Sequence, residues 1–383
     1  MTYGLSEEQT LLQDTARAFV TKYCPPEQAK AWDEAGEFPT DLWQRMADMG
    51  WFTLPYPEAW GGSGGTPTEL CIIAEALGRA SLDIAMAYVG TFIPGLVIFK
   101  HGTDEQRERF RAGLLDGDYR ISVAISEPDA GSDAASLRCS AIDNGDHFVV
   151  NGQKAWCTGA GLPGALIALY VRTDTTVPKH RGISLLLVPN DAPGIEIHRT
   201  PTLARHVLGT NDVFLTNVIV PKENLIGPLS GGFGLMMGGL DLEKVVMAAA
   251  YTGVAQSTMD EMLDYAKQRH QFDRPIGNFQ ALAHPMADLQ TEIDAARLLA
   301  YRAASMLGAG VACTREAAMA KLKCSETYVT AARLGMQVTA GHGFATESIM
   351  SFRWRESIVA TISGGTSQIQ RNAIAKSMGL VTY

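Results

Sequence analysis

A helix through LMMGGLDLEKVVMAAAYTG would leave one carboxylate in almost wholly apolar company. The helical neighbours of Glu243 at three and four residues are Gly239, Leu240, Val246 and Met247, all small or apolar. Burial disfavours the charged form of a carboxylate and lifts its pKa toward neutrality, which suits a group that takes up a proton and later releases it. Asp241 lies two positions away and points to a different face. Two readings fit Glu243: an acid–base residue, or a structural acid paired with a distant arginine or with Lys244.

Three further segments carry groups suited to holding a ligand. ISEPDAGSD at 125–133 sets an acid, a proline and a Gly-Ser-Asp turn directly after a β run. Its backbone N–H groups and the hydroxyls of Ser126 and Ser132 can grip a phosphate or the edge of a heterocycle. GQKAWCTG at 152–159 places Trp156, a flat apolar wall, beside the Thr158 hydroxyl; taken alone, this motif favours a core tryptophan. SGGTSQIQRNAIAKSMG at 363–379 puts two glycines before Thr366 and Ser367, which can cap a helix carrying Ile369 and Ile374. So unhindered a backbone can approach a ligand closely, and the helix N-terminus favours an oxygen with partial negative charge.

Two other pattern matches are deceptive. Gly159, Gly161 and Gly164 satisfy GxGxxG, but Pro163 and Gly164 lead into the strand-like ALIALYV and not into the helix a dinucleotide turn must open. Gly61, Ser63 and Gly65 satisfy GxSxG, yet no strand precedes them. Both read as loops.

The elements that must position these groups fall into three blocks. Up to about Asp118 the pattern is helical, with capping boxes at Ser6/Gln9 and Thr103/Gln106, a further short capped helix over 40–50, and the loop WGGSGG at 60–65. From Tyr119 to about Gly227 the chain reads as short β runs: 121–125, 147–152, 165–171, 183–188 and 213–220. With no helix-length segment between them, they predict an antiparallel barrel or sandwich. After GPLSGGFG the chain is helical again, over roughly 235–269, 280–307, 313–339 and after Thr366, a pattern for a bundle. The predicted fold is mainly α with a central β domain: an N-terminal helical domain (1–118), a barrel-like middle domain (119–230) and a C-terminal helical bundle (231–383).

With 383 residues, 46% hydrophobic and 19% charged, the composition is that of an ordered protein with more than one core. A net charge of −9 and the lack of a cationic cluster argue against a nucleic-acid partner. The six cysteines form no CxxC pair and no metal-ligand pattern with the histidines, so free thiols in a reducing compartment are expected. MTYGLSEEQTLL carries acids where a targeting peptide needs bases and an apolar run, which predicts a cytoplasmic protein. No charge-free apolar stretch of spanning length is expected without glycine interruptions, the nearest being the small-residue helix after Lys244.

ISEPDAGSD, NGQKAWCTG, AKQRHQFDRPIGNFQAL at 266–282, QVTAGHGF at 337–344 and SGGTSQIQR together resemble the acyl-CoA dehydrogenase flavoprotein family, in that family's order and along essentially the whole chain. The resemblance implies FAD, a homotetramer or dimer with flavin at a subunit boundary, and removal of hydrogens from the α and β carbons of an acyl thioester. It implies flavin contacts from the Val123–Ser132 turn, including Ile125 and Ser126, with Ser132 also meeting the pantetheine arm. Trp156 and Thr158 match the wall and hydrogen bond at the flavin ring. Arg269, Phe272 and Gln280 match residues that reach a neighbouring subunit's flavin, Gln337 and Gly341 its pyrophosphate, and Thr366 and Gln368 the last flavin contacts. Asp241, Lys244, Ser363, Gly364 and Gly365 fall at substrate-side positions.

One departure from the family pattern is informative. Most members carry a glutamate immediately before the Gly-Thr of the last motif, where this chain has Gly364. A minority, including the isovaleryl-CoA and long-chain enzymes, place it on the helix after the barrel, and Glu243 aligns there. The resemblance thus implies that Glu243 takes the α proton while hydride passes to flavin, the thioester carbonyl being held by the Gly364 N–H and a flavin ribityl hydroxyl. Lys244 stands where arginine is usual, which keeps the charge but loses a bidentate fork. Ser363 stands where many straight-chain enzymes hold tyrosine, which predicts room for a branched or bulky acyl group. Ala340 and Phe344 depart from the usual Gly-Gly-x-Gly-Tyr. An electron-transferring flavoprotein is the expected acceptor. Rival readings are an acyl or prolyl oxidase acting on a carrier protein, a flavin monooxygenase, and a non-catalytic interaction protein.

Overall fold

The computed structural model describes residues 4–380, so the outer ends of the first and last expected segments, 1–3 and 381–383, lie outside the described residues. Helices come first: α1 (Glu7–Tyr23), α2 (Pro26–Ala35), α3 (Thr40–Asp48), α4 (Pro67–Ala80), α5 (Leu82–His101) and α6 (Asp104–Leu115). Strands follow: β1 (Ile121–Ala124), β2 (Ser140–Asp143), β3 (His147–Thr158), β4 (Leu166–Arg172), β5 (Ile183–Pro189), β6 (Ile195–Thr200), β7 (Thr210–Pro221) and β8 (Leu225–Ile226). Then come α7 (Gly232–Gln268), a hairpin of β9 (His270–Gln271) and β10 (Arg274–Pro275), α8 (Gln280–Gly308), α9 (Thr314–Phe344), α10 (Ile349–Ala360) and α11 (Ser367–Ser377). The chain adopts the expected order of helices, sheet and helices.

Local chemistry accounts for several boundaries. Ser6/Gln9 and Thr103/Gln106 form the expected reciprocal capping boxes, and Thr66/Glu69 forms a third. Residues 40–50 differ: α3 begins after Pro39, and no side chain caps it. The sequence reading missed α10 because its buried face carries Arg353, Glu356 and Ser357, which mask the apolar period. It also placed the nearest membrane-length stretch after Lys244. That stretch is α5, which Gly90, Pro94 and Gly95 interrupt and whose apolar window is 83% buried in protein, as in a core helix. All six cysteines are buried free thiols.

By contacts the chain divides into two compact units, one of Met1–Asp33, Thr66–Met86 and Asp241–Tyr383, the other of Glu34–Gly65 and Ala87–Leu240. The second unit holds a sheet in the order β6-β7-β3-β2-β4-β5-β8, with β1 against β4. The pairing is antiparallel as expected, except that β1 and β2 run parallel to β4. Every residue of β4 is buried. Because side chains alternate faces, Leu166, Ala168 and Tyr170 join one core with Phe99, Phe110 and Leu114, while Ile167, Leu169 and Val171 join another with Phe148, Val150 and Val213.

The other unit is built on close helix packing. A Cβ at Gly78 of α4 would lie 2.2 Å from the Ala250 carbonyl oxygen of α7, and one at Gly253 would lie 2.0 Å from that of Glu75. The two helices therefore touch backbone to backbone, which explains the small-residue run around Ala248, Ala249 and Ala250. An alanine at either glycine would force them apart. Arg353, fully buried, ties α10 to α7 and α4 by donating to Ser257, Glu261 and the Arg79 and Ala80 carbonyls.

Candidate active site

Glu243, Met247 and Tyr251 recur at four-residue spacing on α7 and so lie along one stripe. All three face residues 363–364 of the loop between α10 and α11. A Cβ built on Gly364 would lie 3.0 Å from Met247 Cε and 4.0 Å from Glu243 Oε1. The Tyr251 hydroxyl is 3.4 Å from Ser363 Oγ, which also lies 3.2 Å from the Val359 carbonyl oxygen. Gly364 and Gly365 have φ of +62° and +81°, a left-handed pair that explains why two glycines stand here.

Glu243 accepts no hydrogen bond and makes no ion pair among the described residues. Lys244, the nearest candidate partner, turns instead to Asp241 at 3.5 Å, and Asp241 also accepts from Thr314 at 2.5 Å. The structural ion pair offered above is thus absent among the described residues. Desolvation raises the Glu243 pKa above the ordinary carboxylate range, while the charges of Lys244 and Lys321 pull it down more weakly. Glu243 is half-buried by surface area. Part of the side chain is open to water, while the protein atoms crowded around the carboxylate strip most of its hydration. Gly364 is exposed, and its N–H donates to no described atom.

Several residues that hold this loop escaped sequence reading. Lys321 of α9 is fully buried and donates to the carbonyls of Ala360 at 3.1 Å and Gly365 at 2.8 Å. Gln370 donates to Gly364 and Gly365 at 3.2 and 3.0 Å. Thr366 caps α11 by accepting from the Ile369 N–H, as its position predicts. The test that singled out Glu243 also flags Lys321, whose helical neighbours Ala317, Ala318, Cys324 and Ser325 are all small and buried.

In the other unit, two sequence motifs form one construction. Glu127 accepts from the Arg138 and Cys139 N–H groups at 2.6 and 2.8 Å, and buried Lys154 donates to Glu127 at 2.8 Å and to the Ile125 carbonyl at 3.1 Å. This ion pair pins the 125–133 turn to β3. Between Lys154 and Cys157 the register of β3 against β7 slips by one residue, and Trp156 sits there at φ +62° with 61% of its surface exposed. The bulge turns a strand tryptophan outward, so the core reading is excluded. Val123, Ile125 and Ser126 are half-buried, and Ser132 and Thr158 exposed; nothing lies within 4 Å of a Cβ at Gly131. A displayed indole, free hydroxyls and an unhindered turn suit the face and edge of a flat heterocycle bearing phosphates.

Further residues are displayed on the surface of the helical unit. Arg269, Gln280, Gln337, Gly341 and Gln368 are exposed, and Phe272, 86% exposed, tips the β9–β10 hairpin with Asp273, both at positive φ. Ala340 adopts φ 50°, ψ −129°, breaking α9 where the family pattern has glycine. The departure noted in sequence is therefore a strained residue. Deceptive Gly159–Gly164 is a loop leading into β4, and 61–65 is likewise a loop.

Comparison with known proteins agrees along the whole chain. The N-terminal, middle and C-terminal domain models of acyl-CoA dehydrogenase match residues 6–118, 122–218 and 230–379. A probable acyl-CoA dehydrogenase of Bacillus subtilis, YngJ, is 35% identical over 99% of this chain and 100% of its own length. CarC, a subunit of the caffeyl-CoA reductase-Etf complex of Acetobacterium woodii, is 34% identical over 97% of this chain and 98% of its own. The glutaryl-coenzyme A dehydrogenase structure with glutaryl-CoA superposes with a TM-score of 0.95 at 30% identity, covering 100% of this chain and 98% of that one. The chain belongs to the acyl-CoA dehydrogenase family and is an FAD-dependent oxidoreductase acting on acyl-CoA.

Proposed function

We propose that this enzyme oxidises an acyl-CoA to the 2-enoyl-CoA with Glu243 as the α-proton base, in the manner of the isovaleryl-CoA and long-chain members. Bound FAD supplies the acceptor for the β hydride. The observation that carries the reading is a desolvated carboxylate, unpartnered among the described residues, beside exposed Gly364. The Gly364 N–H polarises the thioester carbonyl, so negative charge developing on oxygen as the α proton leaves meets a fixed donor. Asp241, Lys244, Ser132, Ser363 and Gly365 serve the substrate side.

Val123, Ile125, Ser126, Ser132, Trp156, Thr158, Thr366 and Gln368 hold FAD, and Arg269, Phe272, Gln280, Gln337 and Gly341 reach a neighbouring subunit's cofactor in a homotetramer. Exposure of this second group in the single chain supports that role. The small Ser363 supports a branched or bulky acyl group, as does likeness to a caffeyl-CoA reductase subunit, and the Etf of that complex supports an electron-transferring flavoprotein as redox partner in a cytoplasmic enzyme.

Anaerobic titration of the yellow holoenzyme with straight, branched and aryl acyl-CoAs tests this proposal. A branched or aryl thioester should bleach the flavin fastest, and Glu243→Gln should slow that bleaching by ~10²-fold or more. Undiminished bleaching in this variant would reassign the base, and faster bleaching by the same acyl group on a carrier protein would reassign the substrate.

A further inference from the structure

Lys321 is a lysine without an exposed atom, and its ammonium points at main chain. It donates to Ala360 and Gly365, the carbonyls that bracket residues 361–364, so one cation closes the loop from both ends. Gln370 reinforces the second end, and the Tyr251 and Ser363 hydroxyls brace its middle. Without the ammonium the Gly365 carbonyl keeps Gln370, but the Ala360 carbonyl loses its charged donor and the loop is no longer closed from both ends.

We propose that Lys321 is a positioning residue for the reaction, clamping the 361–364 loop so that the Gly364 N–H keeps one fixed geometry beside the Glu243 carboxylate. The proposal rests on Glu243 as base but adds a residue outside the matched site motifs. The groups whose charges bear on Lys321 are Glu243 and Lys244 from α7 and Glu326 on its own helix; the loop contributes only carbonyls. Burial lowers the Lys321 pKa to about 8, with Glu326 and Glu243 opposing that drop. Below that value the ammonium is present and depresses the Glu243 pKa; above it both the clamp and this depression are lost.

The test compares Lys321→Met, Lys321→Arg and Glu243→Gln holoenzymes by rapid-mixing flavin reduction across pH, with amide hydrogen exchange over 361–366. Lys321→Met should reduce the rate at saturating substrate by ~10-fold or more with little change in KM, because misplacing a reacting group costs rate before affinity. Its acidic limb should move upward by on the order of one pH unit, since the cation that favoured ionised Glu243 is gone. Lys321→Arg should restore the acidic limb, and amide exchange should quicken in the methionine variant alone. A purely structural lysine would lower the melting temperature and leave the limb in place, which would overturn the proposal. Should Glu243→Gln reduce flavin at the wild-type rate, the assignment of the base fails, and that result is separate from the Lys321 outcome.

Discussion

The carboxylate of Glu243 lies 4.0 Å from the point where a side chain on Gly364 would begin. Two positions far apart in sequence thus address one spot, and an acid on either could meet the same α carbon. Glu243→Gly should abolish flavin reduction, and adding Gly364→Glu should restore part of it. Restoration stays incomplete because a non-glycine residue at φ +62° is strained by roughly 1–3 kcal/mol and Met247 must move aside. Rapid-mixing kinetics on both variants decides the matter; no recovery in a well-folded double variant would place the reacting carbon elsewhere.

Glu243 also has a consequence for stability. Its folded pKa is raised, so the native state binds its proton more tightly than the unfolded chain. The sign follows: stability falls as pH rises from the unfolded carboxylate value, about 4.3, through the raised folded value. Glu243→Gln removes the cost of a desolvated charge. The variant should melt higher than wild type near neutral pH, and that gain should vanish on acidifying below the unfolded value. Calorimetry at both ends checks this, and an equal gain at all pH values would contradict it.

Ala340 offers a second gain. At φ 50°, ψ −129° an L side chain is strained, by roughly 1–3 kcal/mol, whereas glycine is at ease. Ala340→Gly should therefore raise the denaturant midpoint without changing the slope. An unchanged or lower midpoint would mean that the alanine methyl makes compensating contacts.

Lys154→Met should do the reverse. It leaves Glu127 buried and unpaired, a loss of ~3–5 kcal/mol when one member of a buried pair is removed, and it frees the 125–133 turn. The melting temperature should drop and FAD should dissociate more readily, both read from thermal scans with flavin fluorescence. Trp156→Ala, by contrast, should weaken FAD retention with little effect on melting, because most of the indole is exposed.

Sequence alone determined what depends on near neighbours. Spacing along a helix marked Glu243 as dry, paired turn and cap residues bounded α1, α6 and α11, and short apolar β-type runs located β3, β4, β5 and β7, because each signal is carried within a few residues. Tertiary structure decided what depends on which faces meet. That Lys244 turns to Asp241 and leaves Glu243 unpaired, that Lys321 reaches across to the glycine loop, that Glu127 pairs with Lys154, and that Trp156 faces outward through a bulge are all outcomes of packing between distant segments. A buried charge such as Arg353, with Glu356 and Ser357 on its own helical face, reads as surface in a sequence, and only the partners brought to it by the fold make its burial affordable.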